Sequence, residues 1–96
     1  MPQVLCDVSE GLSERNVNVA VKDANSVRQF LLVDRDFVVE ERGRSYLPVE
    51  VVYISKEKQV ALIELPQEAD SGVNRIWVKL SDLNDKSESL TSEAPA

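Results

Sequence analysis

Histidine is absent from the 96 residues, cysteine occurs once, and aromatic residues make up only 5% of the chain. Each scarcity removes a class of function. Without imidazole the chain lacks the commonest general base and metal ligand, and neither a serine nor a thiol nucleophile can be paired with one. A tetrahedral zinc site cannot be built from one cysteine and no histidine within a single chain. The expectation is a protein that is not an enzyme and carries no cofactor. The lone Cys6 excludes an intrachain disulfide and points to a reducing compartment. Long apolar runs are missing too, none approaching the ~20 residues of a membrane helix. The opening MPQVLCDVSE has no basic n-region, and Asp7 interrupts its apolar residues at once. These features predict a soluble, cytoplasmic chain without a membrane partner.

Basic charge is also scarce, with eleven Lys and Arg against seventeen Asp and Glu, a net charge of −6. Asp85, Glu88, Glu93 and Lys86 fall in the last thirteen residues, which leaves fourteen acids and ten bases in the body of the chain. An acidic body disfavours a nucleic-acid partner, because affinity for a phosphate backbone comes from clustered Lys and Arg. Arg35, Arg42 and Arg44 do lie close in sequence, but Asp34, Asp36, Glu40 and Glu41 are interleaved with them. A mixed, solvated face is the expectation there, with an acidic partner or phosphate as the alternative.

What is abundant is Val, Leu and Ile in short runs bounded by turn residues, the pattern of strands in a single domain. Seven are predicted: Gln3 to Ser9, Val17 to Lys22, Val27 to Val33, Phe37 to Arg42, Ser45 to Ile54, Gln59 to Leu65 and Arg75 to Leu80. The first suits an edge strand, with Val4, Cys6 and Val8 on one side. Asp23-Ala24-Asn25-Ser26 supplies the turn of a hairpin, since Asp and Asn bond nearby backbone and tolerate left-handed φ. Glu41-Arg42-Gly43-Arg44 supplies another, using the freedom of Gly43. Pro48 cannot donate to a ladder, so the long strand is expected to bend there and to serve two sheets or turn a barrel corner.

From Tyr46 to Leu80 the pattern is a β-meander. Its first two strands are apolar on both faces: Val49, Val51 and Tyr53 against Val52 and Ile54, then Ala61, Ile63 and Leu65 against Val60 and Leu62. A sheet with one wet face alternates more cleanly. The N-terminal strand, a second copy of the chain or a partner must therefore cover the second face. A 3₁₀ turn over Ser81-Asp82-Leu83 closes a domain spanning residues 1–83. Residues 84–96 are rich in Ser, Glu and Pro and predict a disordered acidic tail, whose Ser87, Ser89, Thr91 and Ser92 are phosphate acceptors only as a minor alternative to solubilisation.

The fold class is thus all-β, a small antiparallel barrel or sandwich. The last five strands resemble an SH3-like barrel in number and spacing, an architectural analogy that carries no function. Four places hold candidate chemistry. Glu64, Glu68 and Asp70 surround the glycine-containing loop Pro66 to Asn74; a solvated connection is expected, with an oxygen-ligand cation site as the alternative. Cys6 is expected to be buried and inert. Trp77 is expected to be spent on core or edge packing, the alternative being an aromatic groove with Tyr53 for a Pro-rich peptide. The arginine cluster is the fourth. Together they predict a non-catalytic protein–protein interaction module with Tyr53, Trp77, Glu68, Asp70, Arg42 and Arg44 as candidate surface. The alternatives are a homo-oligomer, such as a homodimer packed through Val49 to Leu65, and more remotely a carboxylate- or metal-dependent hydrolase.

Overall fold

A computed structural model describes residues 2–11 and 13–85. Among them nine strands form in the order β1 (Pro2–Glu10), β2 (Asn16–Lys22), β3 (Arg28–Asp34), β4 (Val39–Glu41), β5 (Arg44–Pro48), β6 (Glu50–Ser55), β7 (Val60–Glu64), β8 (Arg75–Lys79) and β9 (Leu83–Asp85). Short 3₁₀ turns at Arg35–Phe37 and Leu80–Asp82 precede β4 and β9. All pairings are antiparallel. One six-stranded sheet runs β3-β2-β1-β5-β4, with β9 also on β1, and a three-stranded sheet runs β6-β7-β8. Neither sheet closes on itself, so no barrel forms among the described residues. No described helix is long and apolar enough to cross a membrane.

β1 is the organising strand of the larger sheet, not its edge. Its first half takes β5 on one side, with Val4 opposite Leu47, and β9 on the other, with Val4 opposite Leu83. Its second half, Asp7 to Glu10, pairs with β2. Alternation along a strand reports which side chains face inward and says nothing of how many neighbours the backbone has. β9 itself went unanticipated. The 3₁₀ turn comes one residue earlier than the pattern suggests, which frees Leu83 and Asn84 to pair with Val4 and Gln3. Strand pairing therefore continues through Asp85, and the rest of the tail expected from residue 84 onward lies outside the described residues.

The turns follow the local chemistry. The Asp23 carboxylate accepts from the amides of Asn25 and Val27, each at 2.9 Å, while Ser26 takes φ 68°. Arg42 and Gly43 have φ 53° and 79°, the two consecutive left-handed residues of a two-residue hairpin, with Glu41 opposite Arg44. Phe37 belongs to no strand. Asp34 accepts from the Asp36 amide at 2.9 Å and caps a 3₁₀ turn that delays β4 to Val39. At Pro48 the long predicted strand does break: the Val49 amide donates to the Pro2 carbonyl at 3.1 Å, and β6 starts in the other sheet.

A single cluster joins the sheets. Val4 and Cys6 of β1, Val17, Val19 and Val21 of β2, Leu31 and Val33 of β3 and Leu47 of β5 pack with Ala61 and Ile63 of β7 and Ile76 and Val78 of β8. Gly11 marks the tightest point at the β1–β2 connection. A Cβ there would stand 2.5 Å from the Asn16 carbonyl oxygen and 3.1 Å from Leu32 Cδ1. Gly11→Ala should therefore destabilise the chain by about 1–3 kcal/mol through forced backbone displacement. Urea denaturation measures this, and an effect near zero would mean that the connection relaxes freely.

Candidate functional site

The three-stranded sheet positions the most distinctive surface. Its inner side chains, Val51 and Ile54 of β6 with Ala61, Ile63, Ile76 and Val78, face the core. Its outer side places Tyr53 opposite Leu62 and Leu62 opposite Trp77, an apolar row across all three strands. Tyr53 is 59% exposed and Trp77 42% exposed. Their rings meet edge to face, with centroids 6.1 Å apart and planes at 85°, the geometry favoured by the aromatic quadrupole. Trp77 is accordingly not a core residue: it lies half-buried on the outer face of an edge strand, with its ring against Tyr53.

A bulge builds this row. The β6–β7 register shifts between Val51 and Tyr53, so Val51 lies opposite Ile63 on the inner side while Tyr53 lies opposite Leu62 on the outer. One extra residue reverses the alternation. The sequence pattern, which groups Val51 with Tyr53, is corrected here, and Val52 is left 43% exposed beside the aromatic row. The N-terminal strand does not cover this second face, because its Val4 and Cys6 pack in the core against the inner side chains. Nothing among the described residues does.

The edges of both sheets are treated unequally. The loop Pro66 to Asn74 lies along β3: the Asp70 amide donates to the Phe30 carbonyl at 2.7 Å, Gln67 Nε2 donates to the Leu32 carbonyl, and Ser71 Oγ donates to Gln29 Oε1 at 2.8 Å. Ala69 within it is buried against the core. The loop's work is thus to cover an edge that would otherwise expose unpaired backbone. β8 receives the Ala24 amide on its Trp77 carbonyl at 2.7 Å. β4 is three residues long and carries Glu40 and Glu41. β6, by contrast, forms no backbone hydrogen bond beyond those with β7 among the described residues.

The remaining sequence candidates are scattered. Glu68 and Asp70 are exposed on the loop beside β3, whereas Glu64 sits on β7 and is bonded to Arg75 Nε at 3.0 Å. No three acidic or sulfur side chains gather into a metal-holding group among the described residues. Arg42 lies in the β4–β5 turn and Arg44 directly after it, at the opposite edge of the large sheet from that loop. Arg35 is drawn away to Glu10 at 3.3 Å and to the Glu14 carbonyl at 2.7 Å. It borders an open depression of about 220 Å³ with Val8, Val17, Val38 and Glu40. Cys6 is buried in the core, where burial first and the neighbouring Asp7 charge second push its thiol up to about 12. A thiol so protonated is a packing group rather than a nucleophile.

Of the six candidate surface residues, then, Tyr53 and Trp77 are brought together from different strands, and Leu62 and Val52 join them, while Glu68 with Asp70 and Arg42 with Arg44 stay apart from them. No protein-family model matches the chain, and no curated protein or solved structure is significantly similar to it.

Proposed function

We propose that this chain is a non-catalytic protein–protein interaction module whose working surface is the outer face of β6, β7 and β8. The observation that carries the reading is the apolar Tyr53-Leu62-Trp77 row, exposed at its two aromatic ends and half-buried at Leu62. Tyr and Trp are the residues most enriched where binding energy concentrates, because they bury much area for little lost rotamer freedom. A domain with so few aromatics that leaves its only tryptophan 42% exposed is sparing that residue from the core, where it would contribute most to stability.

The only tryptophan makes the face directly observable. Peptide ligands selected from a displayed random library against the whole chain should shift Trp77 emission to shorter wavelength and lose at least about tenfold in affinity, about 1.4 kcal/mol, on Trp77→Ala. The same substitution should cost no more than about 1 kcal/mol of folding stability, against about 3–5 for a buried aromatic. A library that yields no ligand for this face, or ligands indifferent to Trp77→Ala, would overturn the reading.

A further inference from the structure

Taken row by row across β6, β7 and β8, the outer face carries Glu50, Glu64 and Arg75, then Tyr53, Leu62 and Trp77, then Ser55, Val60 and Lys79. The two ends of each row differ about the middle strand. An acid stands across from a base in the first row, and one aromatic across from the other in the second. We infer that the occupant of this face is a second copy of the chain, related by a two-fold axis lying along β7 and above it. The inference rests on the reading of this face as the working surface and names its partner.

Such an axis exchanges β6 with β8. Glu50 then faces Arg75 of the second copy, Tyr53 faces its Trp77, and Leu62 meets Leu62 on the axis. Each contact off the axis occurs twice, as an isologous interface requires. Glu64 approaches its own copy near the axis, but it is already bonded to Arg75 of its own chain at 3.0 Å. Arg75 is thereby set between two carboxylates, one from each copy. Axes in other directions do worse. An axis across the strands would bring Arg75 toward Lys79 of the second copy and would leave Glu50 facing Ser55.

Charge supports the same occupant. Glu50, Glu64, Arg75 and Lys79 cancel on this face, although the whole chain carries −6. Two acidic molecules approach here without meeting their excess negative charge. The face is small: three strands at roughly 4.8 Å spacing and about five residues at roughly 3.3 Å rise make a patch on the order of 15 by 17 Å. That lies well below the roughly 800 Å² per partner of a tight complex, so the dimer is weak and exchanges rapidly.

The test is sedimentation of the full chain over about a hundredfold range reaching about 1 mM, for the native protein, for Glu50→Arg, for Arg75→Glu and for an equimolar mixture of the two variants. The native chain is expected to dimerise reversibly, with Trp77 emission moving to shorter wavelength as concentration rises. Each substitution alone sets like charges opposite one another and should weaken association by about tenfold or more. The mixture should regain native strength as a heterodimer, because the introduced arginine of one chain faces the introduced glutamate of the other. A chain monomeric throughout, a dimer indifferent to both substitutions, or a mixture no stronger than its components would each overturn the inference. The native emission shift needs no variant, so a misfolded substitution cannot leave the question open. A monomer that still binds peptides through Trp77 would overturn the second copy alone. A chain whose Trp77 face binds neither peptide nor copy would overturn both readings.

Discussion

Ile63→Ala will destabilise the protein by about 2–5 kcal/mol, and it will do so for both sheets at once. Ile63 is the larger of the two inward residues of β7, fully buried, with Val51 and Ile76 as its cross-strand neighbours. Removing its outer carbons forfeits the transfer energy of the buried methylenes and leaves a cavity between sheets that are each pinned by their own ladders. A chain of this size has only about 5–15 kcal/mol of stability in total, so a large share is lost. The claim with most content concerns cooperativity. Leu47 of β5 belongs to the other sheet but to the same core cluster, and Leu47→Ala is expected to cost a similar amount. In both variants far-ultraviolet circular dichroism and Trp77 fluorescence should report one coincident transition. If Ile63→Ala instead released the three-stranded sheet in a separate early step, the sheets would be two cores and not one.

The parts of this architecture that local chemistry determines were legible in the residues. The Asp23 turn, the Arg42-Gly43 hairpin and the break at Pro48 each depend on a few adjacent side chains, and each occurs where those side chains predict it. What failed were features that depend on distant partners. β1 looked like an edge because its pattern shows faces, and its three neighbours are drawn from elsewhere in the chain. β9 is three residues long and exists because Pro2 to Val4 offers it an open side. No barrel could be distinguished from open sheets, since closure is a matter of which strands meet and the strand count is silent on it.

The candidate site divides along the same line. Both faces of the meander are apolar in the sequence, and in the structure the second face leaves Val52, Tyr53 and Trp77 exposed. Which residues share that surface was misjudged, because the bulge after Val51 reverses the alternation and no residue there announces it: bulges are usually signalled by glycine, and Val51-Val52-Tyr53 has none. The carboxylate-rich loop was distinctive for a different reason than cation binding. Its backbone and its Gln67 and Ser71 side chains serve the β3 edge, and the acids are what remains facing water.

Cys6 gives the second large effect, and the sign of its pH dependence is definite. Its thiol is held at about 12 against a usual 9.0, mainly by burial and secondarily by Asp7. At pH 8 the thiolate fraction, and with it the rate of alkylation by iodoacetamide, should be on the order of a thousandfold lower in the folded chain than in the same chain unfolded in urea. Stability follows by linkage. Below pH 9 both states hold the proton and Cys6 contributes no pH dependence; above it the unfolded state loses the proton while the folded state keeps it. The unfolded state is then favoured, so the Cys6 contribution falls by about 1.4 kcal/mol for each pH unit between about 9 and 12 and levels off beyond. Lysines and tyrosines titrate in the same range, and comparison with Cys6→Ala isolates the thiol: the stability difference between native chain and variant should shift against the native chain as pH rises from 9. A flat difference would mean that the thiol ionises as easily in the fold as in water. Asp7→Asn separates the two causes, because removing the smaller one should recover only a minor part of the alkylation rate while the burial of Cys6 in β1 persists.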